Sequence, residues 1–125
     1  MAFIQSNINP DGLRVGDCTV RAIAEALGQS WEQTYIDLAL QGLIMKDMPS
    51  ADHVWGEYLR SKGFRSHLVP EGEYGPITVA EFSARHPMGT YILAISGHVV
   101  CVKDGDWLDS WDSGNEIPIY FWMKG

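Results

Sequence analysis

The chain has 125 residues, with 16 acidic and 9 basic side chains and a formal net charge of −7. That length suits one compact domain, residues 1–125, built around a single hydrophobic core. No Lys/Arg cluster is present, which argues against a nucleic-acid partner. No basic amphipathic helix and no apolar run near the ~20 residues of a membrane span occur, which argues against a membrane partner.

Met1 to Ser6 carries neither a basic n-region nor a long apolar stretch, so no secretory signal is read and a cytoplasmic location is expected. Residues 1–16 read as irregular, with Asn9-Pro10-Asp11-Gly12 as a turn signal. Asp17 is a good N-cap for a first helix, in which Val20, Ile23, Ala24 and Leu27 share one face and Gly28 is the stop. Ser30 and Gln33 fit a capping box for a second helix with an apolar stripe of Trp31, Tyr35 and Leu38, ending near Gln41-Gly42. A third helix is expected from Ser50 to Lys62, with Val54/Tyr58 and Trp55/Leu59 as its i,i+4 pairs. Residues 64–77 read as a loop with one short strand. Thr78 and Glu81 form a second capping box, opening a short helix that stops before Pro87.

From Gly89 onward the pattern changes to strands: Thr90–Ile95, His98–Val102, Trp107–Ser110 and 117–122. Pro118 puts the last one at a sheet edge or makes its start irregular. Helices in the first half and strands in the second predict an α+β domain.

Cys18 follows the expected N-cap directly. Unpaired N–H groups and the helix dipole favour an anion in that first turn, so a thiol there has its thiolate stabilised. The thiolate is the form that attacks a carbonyl. Asp104-Gly105 is a two-residue hairpin signal, and counting back from it pairs Val102 with Trp107, Val100 with Asp109 and His98 with Trp111. Directly paired residues share a sheet face. Asp109 then stands diagonal to His98, able to accept its ring N–H as the third member of a triad does, and Trp111 can cover that bond from water. A one-residue slip would bring Asp112 to that face instead, so Asp112 is the alternative orienting acid.

These residues resemble a papain-like cysteine peptidase. The order Cys18, His98, Asp109 is that clan's order of nucleophile, base and orienting residue. Gly97-His98-Val99-Val100 is similar to its small-His-apolar stretch, and Asp109-Ser110-Trp111 to its Asn-Ser-Trp segment. The wider chain resembles a group of small phage and bacterial proteins, through Gly16-Asp17-Cys18-Thr19-Val20-Arg21-Ala22-Ile23, His86-Pro87-Met88-Gly89-Thr90-Tyr91, Ser96-Gly97-His98 and Asp109-Ser110-Trp111-Asp112. The resemblance implies a papain-like fold, with the Cys helix packed on a C-terminal antiparallel sheet. It implies amide hydrolysis through a thioester, with a peptide or protein substrate and no cofactor or metal. Where the family has a Gln before the Cys, this chain has Gly12. Asn9 is the favoured replacement as oxyanion donor, ahead of Asn7 and Gln5, beside the Cys18 N–H. A small helical part leaves a shallow cleft, or one that a second copy or a host-protein partner completes. The alternative is an inactive binding module on the same fold.

Other candidates read as structural. His53, His67 and His86 lack metal-ligand spacing with a Cys. Cys101 alternates to the face opposite His98 and reads as core. Arg21 is expected to pair with Asp17 or with a carboxylate of the second helix. Trp31, Trp55 and Trp122 are expected to fill the core or the lobe interface.

Overall fold

The computed structural model describes residues 1–125 as an α+β fold with four helices and one six-stranded mixed sheet. In chain order the elements are β1 (Ala2–Gln5), α1 (Cys18–Leu27), α2 (Trp31–Met45), α3 (Asp52–Ser61), β2 (Phe64–Leu68), α4 (Val79–Arg85), β3 (Thr90–Ile95), β4 (His98–Lys103), β5 (Asp106–Asp109) and β6 (Tyr120–Lys124). The sheet order is β1-β5-β4-β3-β6-β2. Only β1 and β5 run parallel.

Alternation along the central strands divides the core in two. Ile92 and Ala94 of β3, Val99 and Cys101 of β4 and Trp122 of β6 pack with Ala22 and Ile23 of α1, Leu38 of α2 and Trp55 and Leu59 of α3. Leu93, Val100, Val102, Trp107 and Phe121 point to the other face and pack with Val79 and Phe82 of α4. The period-2 pattern thus places α1, α2 and α3 on one side of the sheet and α4 on the other. Cys101 is fully buried, and burial pushes its thiol up to about 12, the condition of an inert core cysteine.

Local chemistry explains most element ends. Gly28 closes α1 in the left-handed region at φ 67°. Thr78 and Glu81 make the full reciprocal capping box of α4. Asp104 and Gly105, at φ 50° and 84°, turn the β4–β5 hairpin, and Val102 pairs with Trp107 as the Asp-Gly count requires.

Several expectations need correction. The N-terminal segment is not wholly irregular, because Ala2–Gln5 adds to the sheet beside β5. Helix α2 runs past Gly42 to Met45 and closes on Lys46 in the left-handed region. Its cap is half a box: Ser30 accepts from the Gln33 N–H, but the Gln33 side chain donates forward to Asp37. The buried positions of α2 are Thr34, Leu38 and Gly42, while Tyr35 is exposed and Trp31 half-buried. The last strand begins only after Pro118 and Ile119, and it lies inside the sheet between β3 and β2, not at an edge. Starting past the proline gives β6 an N–H at every residue, so it can pair on both sides.

Candidate active site

Cys18 is the first residue of α1. Asp17 holds the N-cap position, but its side chain caps none of the first-turn N–H groups. Its two oxygens are taken by Arg21 Nε at 2.8 Å and Trp31 Nε1 at 3.0 Å. The first intrahelical bond runs from the Arg21 N–H to the Asp17 carbonyl, so the Cys18 N–H remains free to donate.

The Cys18 thiol lies beside the His98 ring, with which it lines two cavities, and near the Val99 backbone and the Thr19 side chain. Burial pushes the thiol pKa up. Its interactions with His98, Val99 and Thr19, together with the His98 charge, outweigh it and leave the pKa below its ordinary value. His98 responds in the opposite sense. Burial alone would lower its pKa, but hydrogen bonds to Asp109 and Cys18 and their charges raise it to about 9. Both shifts favour a thiolate–imidazolium pair.

His98 Nε2 lies 2.6 Å from Asp109 Oδ2, which leaves Nδ1 as the ring nitrogen not engaged by the carboxylate. Asp109 is only 2% exposed, yet its oxygens accept from four donors. Oδ2 also accepts from Ser113 Oγ at 2.7 Å; Oδ1 accepts from the Ser110 N–H at 2.8 Å and Arg21 Nη1 at 3.3 Å. Burial works against ionisation, but the bonds to His98, Ser113 and Ser110 and the His98 charge hold the carboxyl below its ordinary pKa. Trp111 sits beside His98, ring centroids 4.9 Å apart and planes 39° apart, while remaining 43% exposed.

Four of the expected residues therefore meet or adjoin one another: Cys18, His98, Asp109 and Trp111. The strand-face count reached this by an incomplete route. Val100 and Val102 face α4, so strict alternation sends His98 to the α4 side and away from α1. The β4–β5 ladder stops at the Cys101–Leu108 pair, and His98 and Asp109 lie beyond it. Asp109 is paired instead with Gln5 of β1, and its carbonyl accepts from the Ser6 N–H. Each of the two is a terminal residue of its strand, His98 paired with Ile95 and Asp109 with Gln5, so their contact is not a rung of the β4–β5 ladder that the face rule describes.

Two expected residues lie elsewhere. Asp112 Oδ1 accepts from Trp107 Nε1 and the Gly114 N–H, each at 2.9 Å, so it does not orient His98. Asn9 turns its side-chain carbonyl onto the Asp11 and Leu13 N–H groups, a loop-building Asx turn, and does not line the cavities at Cys18. The other amides are also engaged: Asn7 Nδ2 donates to the Leu13 carbonyl and Gln5 Nε2 to that of Ser110. Sequence reasoning missed Ser113, which carries no motif, and the Arg21–Asp109 contact, which joins residues 88 positions apart. It also missed Glu25. One Glu25 oxygen accepts from Ser6 Oγ at 2.7 Å while the other is buried without a partner, and burial raises its pKa.

Two open cavities meet at Gly16, Cys18, Gly97 and His98. One, about 410 Å³, extends past Ser50, Asp52 and Trp55; the other, about 340 Å³, extends past Asn7, Arg14 and Trp111. Gly97, at φ 70°, turns β3 into β4 and leaves its outer side open in both. No group of three or more His, Cys, Asp or Glu side chains is placed to hold a metal ion, and no helix is long and apolar enough to cross a membrane.

The chain matches no family model, no curated protein and no solved structure.

Proposed function

We propose that the protein is a papain-like thiol hydrolase, a peptidase or amidase that cleaves an amide bond of a peptide or protein through a thioester. The observation that carries this reading is the juxtaposition of thiol, imidazole and carboxylate: Cys18 and His98 line the same two cavities, and His98 Nε2 lies 2.6 Å from Asp109 Oδ2. The Cys18 thiolate attacks the carbonyl carbon while the Cys18 N–H faces the developing oxyanion. His98 protonates the leaving nitrogen from Nδ1 as the C–N bond breaks. Water then attacks the thioester, His98 takes its proton, and the C–S bond breaks to return the thiolate. Asp109 keeps the ring oriented and stabilises its charge throughout. Arg21, Ser113 and the Ser110 N–H hold Asp109 in turn, as positioning groups.

One observation favours a second reading, a binding module on the same scaffold. Of the candidate oxyanion amides, Asn9 and Gln5 line neither cavity at Cys18, and Asn7, which lines one, donates its Nδ2 to the Leu13 carbonyl. One experiment separates the two. Peptide-library and host-lysate cleavage is compared between the chain and Cys18→Ala, and iodoacetamide labelling is measured at neutral pH. Labelling faster than a model thiol, with Cys18-dependent cleavage, supports the hydrolase. Labelling at the model-thiol rate sinks it.

A further inference from the structure

We propose that the cavity between the Val15–Asp17 segment, the start of α1 and the face of α2 is a subsite for one uncharged aliphatic or aromatic side chain on the acyl side of the scissile bond. This rests on the thiol-hydrolase reading. The cavity measures about 310 Å³ and is walled by Val15, Val20, Trp31, Tyr35, Leu38 and Pro49. That is the lower end of the range for ligand pockets, the size for a side chain and not for a whole cofactor.

Its chemistry is neutral. Asp17 is the only charged residue in the wall, and both of its oxygens are already occupied by Arg21 and Trp31. The Trp31 indole has thereby spent its one donor. It stacks on Tyr35, centroids 5.2 Å apart and planes 20° apart, so the two rings present carbon. At the mouth, Val15 and Tyr35 are 53% and 54% exposed. Apolar groups held open around a concavity are what an absent apolar partner would cover.

Position ties the cavity to the chemistry. It shares Gly16, Thr19 and Ser50 with the larger cavity at Cys18, so the two are contiguous. No residue of β4 and no part of Trp111 lines it. The leaving nitrogen must face His98 to be protonated, so the substrate on the far side of Cys18 from His98 is the acyl part. Trp31 is also the end of a hydrogen-bonded chain that runs through Asp17, Arg21 and Asp109 to His98. A side chain seated on Trp31 presses on the same scaffold that orients the base.

The test uses the intact chain and N-acetyl-aminoacyl chloromethyl ketones bearing Leu, Gly or Asp, with iodoacetamide as a probe that carries no side chain. The second-order labelling rate of Cys18 for the Leu reagent should exceed that for Gly by about tenfold or more, the scale of filling an apolar pocket, and Asp should be slowest. In Val15→Asp and in Tyr35→Ala, both at exposed positions, the Leu/Gly ratio should fall toward one. A ratio near one in the unaltered chain, with fast iodoacetamide labelling, overturns the subsite and leaves the hydrolase standing. A thiol no faster than a model thiol overturns the hydrolase reading. The cavity itself is then judged by NMR on Cys18→Ala: N-acetyl-leucine methylamide must shift the Trp31 indole N–H saturably and the Asp analogue must not, or the subsite is wrong as well.

Discussion

At Cys18 and His98 the opposed pKa shifts have a kinetic consequence. Amide cleavage needs thiolate and imidazolium together, whereas alkylation needs only the thiolate. Cys18 is shifted down and His98 up to about 9, so the ion pair exists in a window that closes near pH 9. Cleavage rates should therefore fall above about pH 9 while iodoacetamide labelling stays high. In His98→Ala the thiol loses its main stabilising partner, and labelling at pH 7 should slow by about tenfold or more. Asp109 gives a different signature. Its carboxyl is held below its ordinary pKa, so its contribution to stability is present above the unfolded value of about 3.9 and is lost as pH falls through the lower folded value. Urea unfolding of Asp109→Asn should accordingly show a shallower loss of stability between about pH 5 and pH 3. Arg21 sits buried between Asp17 and Asp109. Arg21→Met leaves two buried carboxylates without their cation and should cost roughly 3–5 kcal/mol in the same measurement.

Among the elements, those with local signals were readable from sequence and those held by distant partners were not. Thr78–Glu81 and Asp104-Gly105 carry their instructions within four residues, and their cap and turn form as expected. Asp17 sits where a cap should, yet its carboxylate serves Arg21 and Trp31, because a charge-assisted bond to a buried guanidinium is stronger than one to a backbone N–H. Strand β1 has four residues and little apolar alternation; only its pairing with β5, about a hundred residues on, makes it a strand. The candidate site divides the same way. Cys18, His98 and Asp109 were legible through helix start, hairpin count and family resemblance. Asn9 stands outside both cavities at Cys18, its side-chain carbonyl committed to an Asx turn in its own loop, a use that residue type alone does not distinguish from a site role. Helix α1 carries a further testable cost in Glu25, whose raised pKa means that burial disfavours its charged form. A raised carboxyl contributes stability below its unfolded pKa and loses it as pH rises through the folded value. Glu25→Gln keeps an acceptor for Ser6 and removes the charge. It should raise the melting temperature at pH 7 by on the order of 2 °C, an advantage that shrinks below about pH 4.

Over the whole molecule, Cys18 and His98 stand 80 residues apart in sequence (98 − 18) and come together only because α1 packs on the sheet. Cys18 rides on α1, which packs on β3 and β4, while Asp109 is clasped between the hairpin and β1. Strand β6 follows the other nine elements in chain order and joins β2 to β3. Its Trp122 fills the floor beneath α1 and α3, and Phe121 the floor above α4. Pairings at such long sequence separation form late and together. Heightened reactivity of Cys18 is therefore expected only once β6 is in place. A nascent chain that has not yet supplied Tyr120 to Lys124 holds every residue of the triad but no platform to assemble them. Its Cys18 should alkylate at the rate of an ordinary thiol when ribosome-bound chains stalled before residue 120 are compared with released full-length protein. On the proposed reading, the site becomes competent only once β6 is seated between β3 and β2.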